Sequence, residues 1–222
     1  MYYSPSYLFI KAKHILQNEG LITLLKKVFI FLVLCKLQTY FLYKFTIIER
    51  NEADFMPKIR DFTLKIISTN QQVDELVSDG FDLSSHITLI RQRVERGAIE
   101  FFIFVDGELA FIDYVAMTEK AKKSFNALPY KVDFSKEACS GGTETISKYQ
   151  RNGLAKYNMY KKEEFLRERG IMTRRSAVNV KNIMAQTFCT KFDGKIYAKL
   201  RYLKVGPWES FKETPLNSDT PL

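Results

Sequence analysis

The stretch that decides the fold is Tyr149-Gln150-Arg151-Asn152-Gly153-Leu154-Ala155. An Asn-Gly pair marks a turn, a basic side chain precedes it, and a helical pattern follows. Backbone N–H groups at a helix start have no partner within the helix, and the helix dipole adds positive potential there, so the stretch reads as a phosphate cradle. Gly153 lacks a Cβ, which lets an anion approach the main chain, and Arg151 adds a charge-assisted contact. In the helix, Leu154, Tyr157 and Phe165 share one face and Ala155, Met159 and Leu166 a second, with Lys156, Glu163 and Arg167 on the polar side. Two apolar faces predict a helix packed on more than one side. An ordinary turn carries the same local signature, so the surrounding pattern has to decide.

Downstream, residues 171–180 read as a short buried strand, and Asn182 opens a second helix carrying Ile183, Met184, Phe188 and Phe192. Asp193-Gly194 makes a turn, and residues 195–205 alternate as a final strand with Ile196, Ala198, Leu200 and Tyr202 on one face. Upstream, residues 61–69 read as a strand, and 71–79 and 83–96 as helices broken at Gly80. Residues 99–105 and 109–117 form a hairpin around Asp106-Gly107, and 118–129 a polar loop. Residues 130–145 read as a long strand with a bulge at Gly141-Gly142. By itself this pattern gives a mixed α/β domain.

With that order in place, the chain resembles the GNAT N-acetyltransferase superfamily over roughly residues 60–205. The family's pyrophosphate loop has the pattern Gln/Arg-x-x-Gly-x-Gly/Ala, filled here by Gln150, Gly153 and Ala155. Asn182, Ala185 and Gly194 fit the downstream order of Asn, small residue and Gly turn. The resemblance implies an α/β fold with a GNAT-like mixed central sheet flanked by helices. It also implies transfer of an acetyl group from acetyl-CoA to an amine by direct attack. The cofactor pyrophosphate would lie on the N–H groups of Gln150, Arg151, Asn152, Gly153, Leu154 and Ala155. The thioester carbonyl would be polarised by a backbone N–H near Thr143 or Thr145, where charge develops in the transition state. Asn182 would position the pantetheine arm or the departing thiol, and it suits a helix N-cap equally well. Seven residues after that Asn, where the family often places a Tyr to protonate the thiolate, this chain has Cys189. A free thiol can donate a proton but is also a common buried residue, and Tyr197 is a second candidate. Glu137 and Glu144 are the candidate general bases, with a solvated strand carboxylate as the alternative for each. His86 falls in an expected helix and reads as structural.

Composition bounds the rest. The chain has 222 residues, 46% of them hydrophobic, with a net charge of +9, enough for one domain and an extension. Residues 1–50 hold seven basic and two acidic side chains, which accounts for five of those nine charges. Cys35, Cys139 and Cys189 form no Cys-x-x-Cys pair, and His14 and His86 no ligand motif, so no metal site is expected and a reducing compartment suits the chain. The basic residues do not interleave with aromatics in a nucleic-acid-binding module, and Lys120, Lys122 and Lys123 read as a solvated patch.

The expected divisions are a basic, apolar, helical N-terminal extension over residues 1–48, a linker over 49–60, the GNAT-like domain over 61–206 and a tail over 207–222. Within the extension, residues 7–17 read as a short amphipathic helix and 21–45 as a second apolar segment. The longest uncharged apolar run there, residues 28–35, is too short to span a bilayer. Residues 6–48 therefore suit packing on the domain, homodimer contact, or an interfacial position on an anionic membrane. The expected location is cytoplasmic, peripheral on the membrane if the extension binds lipid. The acceptor is then a small-molecule or lipid-linked amine. The contrasting expectation is a non-catalytic acyl-CoA-binding or interaction module with the same fold.

Overall fold

The structure, a computed structural model, describes residues 13, 16–17, 19–23, 25–26, 35–205 and 208–216. In chain order its elements are β1 (Cys35–Thr46), a 3-10 turn (Glu52–Phe55), β2 (Thr63–Ile67), α1 (Asn70–Ser78), α2 (Ile87–Glu95), β3 (Ile99–Val105) and β4 (Glu108–Ala116). There follow α3 (Glu119–Lys122), β5 (Glu137–Thr145), a second 3-10 turn (Ser147–Tyr149), α4 (Leu154–Arg167), β6 (Thr173–Asn179), α5 (Ile183–Lys191), β7 (Lys195–Val205) and β8 (Trp208–Pro215). The strands form one mixed sheet in the order β2-β3-β4-β5-β6-β1-β7-β8, with helices on both faces.

Local chemistry sets these elements. Thr69 caps α1 in a reciprocal box with Gln72. Asp106 and Gly107 both take positive φ, 52° and 79°, which is the two-residue turn that matches strand twist in the β3–β4 hairpin. Strand β3 is buried along its whole length because each face has a cover. Phe102 and Phe104 pack on Val73, Leu76, Ile90 and Val94 of α1 and α2. Ile103 and Val105 pack on Leu154 and Tyr157 of α4. Burying each such side chain stabilises the fold by roughly 1.5–3 kcal/mol.

The largest departure from the sequence reading is β1. Residues 35–46 were expected within an extension, yet they lie inside the sheet, antiparallel to β6 on one side and β7 on the other. Leu42 faces one helix layer, while Tyr43 and Phe45 face the other, all three buried. A strand covered on both sides is apolar at successive positions, so it lacks the alternation that would mark it and reads as an apolar segment of any kind. The extension's inner limit is thus near residue 35, not 48. Its described residues, 13, 16–17, 19–23 and 25–26, are helical, and the rest of the expected helices lies outside the described residues. No described helix is long and apolar enough to cross a membrane.

Smaller corrections have equally local causes. The 49–60 linker contains the Glu52–Phe55 turn, capped by Asn51, with Phe55 buried against Tyr160 and Phe192. Residues 208–215 of the expected tail pair along β7 as a polar edge strand, whose charged sequence masks it. Strand β5 begins at Glu137 because Asp133 turns the chain, accepting from Ser135 through its side chain and from Lys136 and Glu137 through its carbonyl. Lys122 is buried, and its ammonium donates to the carbonyls of Leu128 and Tyr130 at 2.9 Å, pinning the loop that follows. A bulge where β7 passes Leu42 and Tyr43 turns Ile196 to the α5 side and Tyr197 to the opposite one.

Candidate active site

The site begins where two parallel strands part. β5 and β6 pair only at Glu137–Thr173, Ala138–Arg174 and Cys139–Arg175. Beyond these positions β5 stays on β4 and β6 stays on β1, so the two are drawn apart. At the same place β5 bulges, with its register on β4 shifting between Ile112 and Tyr114. Gly142 takes φ 75° there, and a Cβ on it would stand 1.4 Å from the Tyr114 hydroxyl oxygen. Only glycine fits.

A cavity lies on each face of this gap. The larger, about 500 Å³, is lined by Ser140–Thr143 of β5, Ser176–Asn179 of β6, and residues of α4 and α5. The smaller, about 330 Å³, is lined by Tyr40, Phe125, Leu128 and Tyr202 on the opposite face. Both are also lined by Gly141, Gly142 and Ala177, so molecules on the two faces can meet across these small residues.

The Gln150–Ala155 loop leads into α4 beside the larger cavity. Arg151 and Gly153 take φ 64° and 86°. The Asn152 side chain donates to the carbonyls of Tyr149 and Gln150, and Lys58 N–H donates to the Asn152 carbonyl at 2.9 Å. Pro57 backs the loop: a Cβ on Gly153 would lie 3.4 Å from its Cα. Leu154 is buried and anchors the start of the helix. Among the described residues no acceptor reaches the N–H groups of Arg151 to Lys156. Unused donors at the positive end of a 14-residue helix, with exposed Arg151 beside them, fit a diphosphate.

Behind the gap, α4 and the sheet enclose a charged cluster that the sequence reading missed. Asp113 accepts from Lys162, from Asn158 Nδ2 at 2.8 Å, from Thr143 Oγ1 at 3.2 Å and from the Tyr114 N–H at 2.8 Å. Arg174 donates to Ser140 Oγ at 2.7 Å. Glu163, expected on the solvent side of the helix, is buried and meets Arg50 at 3.3 Å. Burial pushes the Lys162 ammonium below its usual range, against the pull of Asp113. Burial likewise raises the Cys189 thiol, which Arg174 and Lys162 pull back in part. The signal in the sequence was the i, i+4 pair Asn158 and Lys162, polar groups within an otherwise apolar stripe.

The expected site residues separate cleanly. Thr143, Ala155, Asn182 and Cys189 line the larger cavity. Asn182 also caps α5, accepting from the Ala185 N–H at 3.0 Å. Gln150 Nε2 donates to the Thr145 carbonyl at 3.3 Å, tying the strand end to the loop. Glu137 sits at the closed end of the strand pair, bonded to Arg175 at 2.7–3.1 Å, and lines neither cavity. It is committed to that ion pair, and the gap opens beyond it. Glu144 is half exposed, 3.7 Å from His86 Nε2. Tyr197 lies under the Arg175 guanidinium, and burial pushes its hydroxyl up to about 12.

No protein-family model matches the chain, and no curated protein matches it in sequence. Solved structures do. A tandem GNAT protein from the clavulanic acid biosynthesis pathway matches at TM-score 0.50 and 14% identity, over 83% of this chain and 55% of that one. A conserved protein of unknown function from Staphylococcus epidermidis matches at TM-score 0.50 and 14% identity, over 82% of this chain and 65% of that one. This chain therefore spans less than two thirds of either protein. Together with the mixed sheet flanked by helices, these likenesses show that the chain has the GNAT fold.

Proposed function

We propose that this chain is an N-acyltransferase moving an acyl group, acetyl in the simplest case, from acyl-CoA to an amine. The observation that carries this is the gap between β5 and β6, with a cavity on each face and small residues where they meet. Such an arrangement suits a two-substrate transfer, because a donor and an acceptor can approach one point from opposite sides.

The N–H groups of residues 151–156 and the Arg151 guanidinium bind the donor's diphosphate. The donor supplies an acyl carbon activated as a thioester. Backbone N–H groups of β5 at Gly142 and Thr143, beyond its pairing with β6, stand where charge develops on the carbonyl oxygen. Cys189 Sγ, kept protonated by burial, holds a proton for the departing sulfur. The Glu144–His86 pair, where the end of β5 meets the start of α2 outside both cavity walls, is the candidate acceptor for the proton of the attacking amine. The Tyr40, Phe125, Leu128 and Tyr202 wall suits an amine with an apolar body.

Calorimetric titration with CoA tests the donor side. Arg151→Glu reverses a charge on an exposed side chain and is expected to weaken CoA at least about tenfold, the scale of one lost charge-assisted hydrogen bond. Its melting temperature should match the wild type. Unchanged affinity in the variant, or no binding to the folded wild type, would contradict the proposal.

A further inference from the structure

The floor of the larger cavity is built from buried cations. Lys162 and Arg174 are each 2% exposed, yet both line the cavity beside Ser140 and Ser176. The guanidinium of Arg174 has neutral hydrogen-bond partners: Nη1 donates to Ser140 Oγ at 2.7 Å, and Nη2 meets Met159 Sδ at 3.1 Å. Glu163 stands 3.9 Å away, and the guanidinium carbon lies 3.7 Å from the Phe45 ring centroid. Arg174 Nε has no partner among the described residues. The two carboxylates that balance these cations, Asp113 and Glu163, do not line the cavity. Lys162 is already bonded to Asp113, so the cavity wall offers the unpartnered Arg174 Nε and the two cationic side chains, at a depth where water screens charge little.

A methyl group is a poor match for such a floor, since it leaves a buried cation with an unused N–H. We infer that the donor's acyl group ends in a carboxylate, which is received by Arg174 and Lys162 with Ser140 and Ser176 beside them. The inference rests on the acyltransferase reading and narrows its donor to short dicarboxylic acyl-CoA thioesters. In the transfer, the amine nitrogen bonds to the thioester carbonyl carbon and the carbon–sulfur bond breaks. The sulfur leaves with the electron pair and takes up a proton, and the amine gives up one. The distal carboxylate is unchanged, so the product is an amide carrying a free acid.

The test is calorimetric titration of the full chain with CoA, acetyl-CoA, malonyl-CoA and succinyl-CoA, which needs no knowledge of the acceptor. Malonyl- or succinyl-CoA is expected to bind at least about tenfold more tightly than acetyl-CoA, the scale of one charge-assisted contact. Arg174→Gln is expected to bring them within about twofold of each other, taking that contact away. If that variant does not fold, the wild-type ranking decides alone. Acetyl-CoA binding as well as or better than both diacids overturns the carboxylate subsite and leaves the acyltransferase reading standing. Failure of CoA and every thioester to bind removes both.

Discussion

Replacing Asp113 with alanine is expected to destabilise the fold by about 3–5 kcal/mol, the range for stripping one partner from a buried ion pair. Asp113 is 1% exposed, and both of its oxygens are in use. One holds Lys162 and Asn158, and the other holds the Tyr114 N–H and Thr143. Its loss leaves a buried ammonium without its hydrogen-bonded counter-charge, with only the more distant pull of Glu163 against Arg174, which disfavours that charge. The loss also frees the bulge residue Thr143, so the site loosens together with the core. Denaturant unfolding measures the cost. The double replacement Asp113→Leu with Lys162→Met should recover most of it, because an apolar pair of similar volume avoids the desolvation penalty. A loss below about 1 kcal/mol for Asp113→Ala would mean that the cluster is hydrated and contributes as a surface pair does.

Gly142→Ala is expected to reduce acyl transfer at least about a hundredfold, close to 2.7 kcal/mol in the barrier. The added Cβ would sit 1.4 Å from the Tyr114 hydroxyl oxygen and 1.9 Å from its ring carbon, on a backbone at φ 75°. The ring cannot simply yield, because Phe125 packs on it at 4.6 Å and the Arg93 guanidinium at 4.3 Å. The strand must therefore move, and with it the N–H groups of Gly142 and Thr143 to which the proposed mechanism assigns the carbonyl oxygen. Left-handed strain alone accounts for about 1–3 kcal/mol of lost stability, and the clash adds to it. A double-mutant cycle with Tyr114→Ala separates the two terms. The stability cost of Gly142→Ala should fall in that background to the strain alone. An equal cost in both backgrounds would show that the Tyr114 contact does not govern the bulge.

The parts of this fold that rest on local chemistry were legible in the sequence. Asp106-Gly107 announces the hairpin, Gly141-Gly142 the bulge, and Asn152-Gly153 the loop before α4, since each needs a backbone that few residues adopt. The split between β5 and β6 was not read from the sequence, because parting is a matter of which neighbour each strand keeps. Strand β1 was hidden for a related reason. Its burial on both faces is created by α3, α5 and two partner strands far away in sequence, and no local period records that. Glu163 and Lys122 were misread, and Lys162 was passed over, because a charged residue in a helical pattern is ordinarily solvated. Their partners, Arg50, Asp113 and two loop carbonyls, come together only in the folded chain. Among the expected site residues, Asn182 and Cys189 line the larger cavity. Glu137 lies away from it, and its strand position gave no hint of Arg175 on the neighbouring strand.

The central claim is that the gap between β5 and β6 receives the donor, and a crystal structure of the protein with bound CoA tests it most directly. The pantetheine arm is expected between Ser140–Thr143 and Ser176–Asn179, with the diphosphate on the N–H groups of residues 151–156. CoA bound at another surface, or β5 and β6 paired beyond Cys139 and Arg175 with the gap closed, would contradict it.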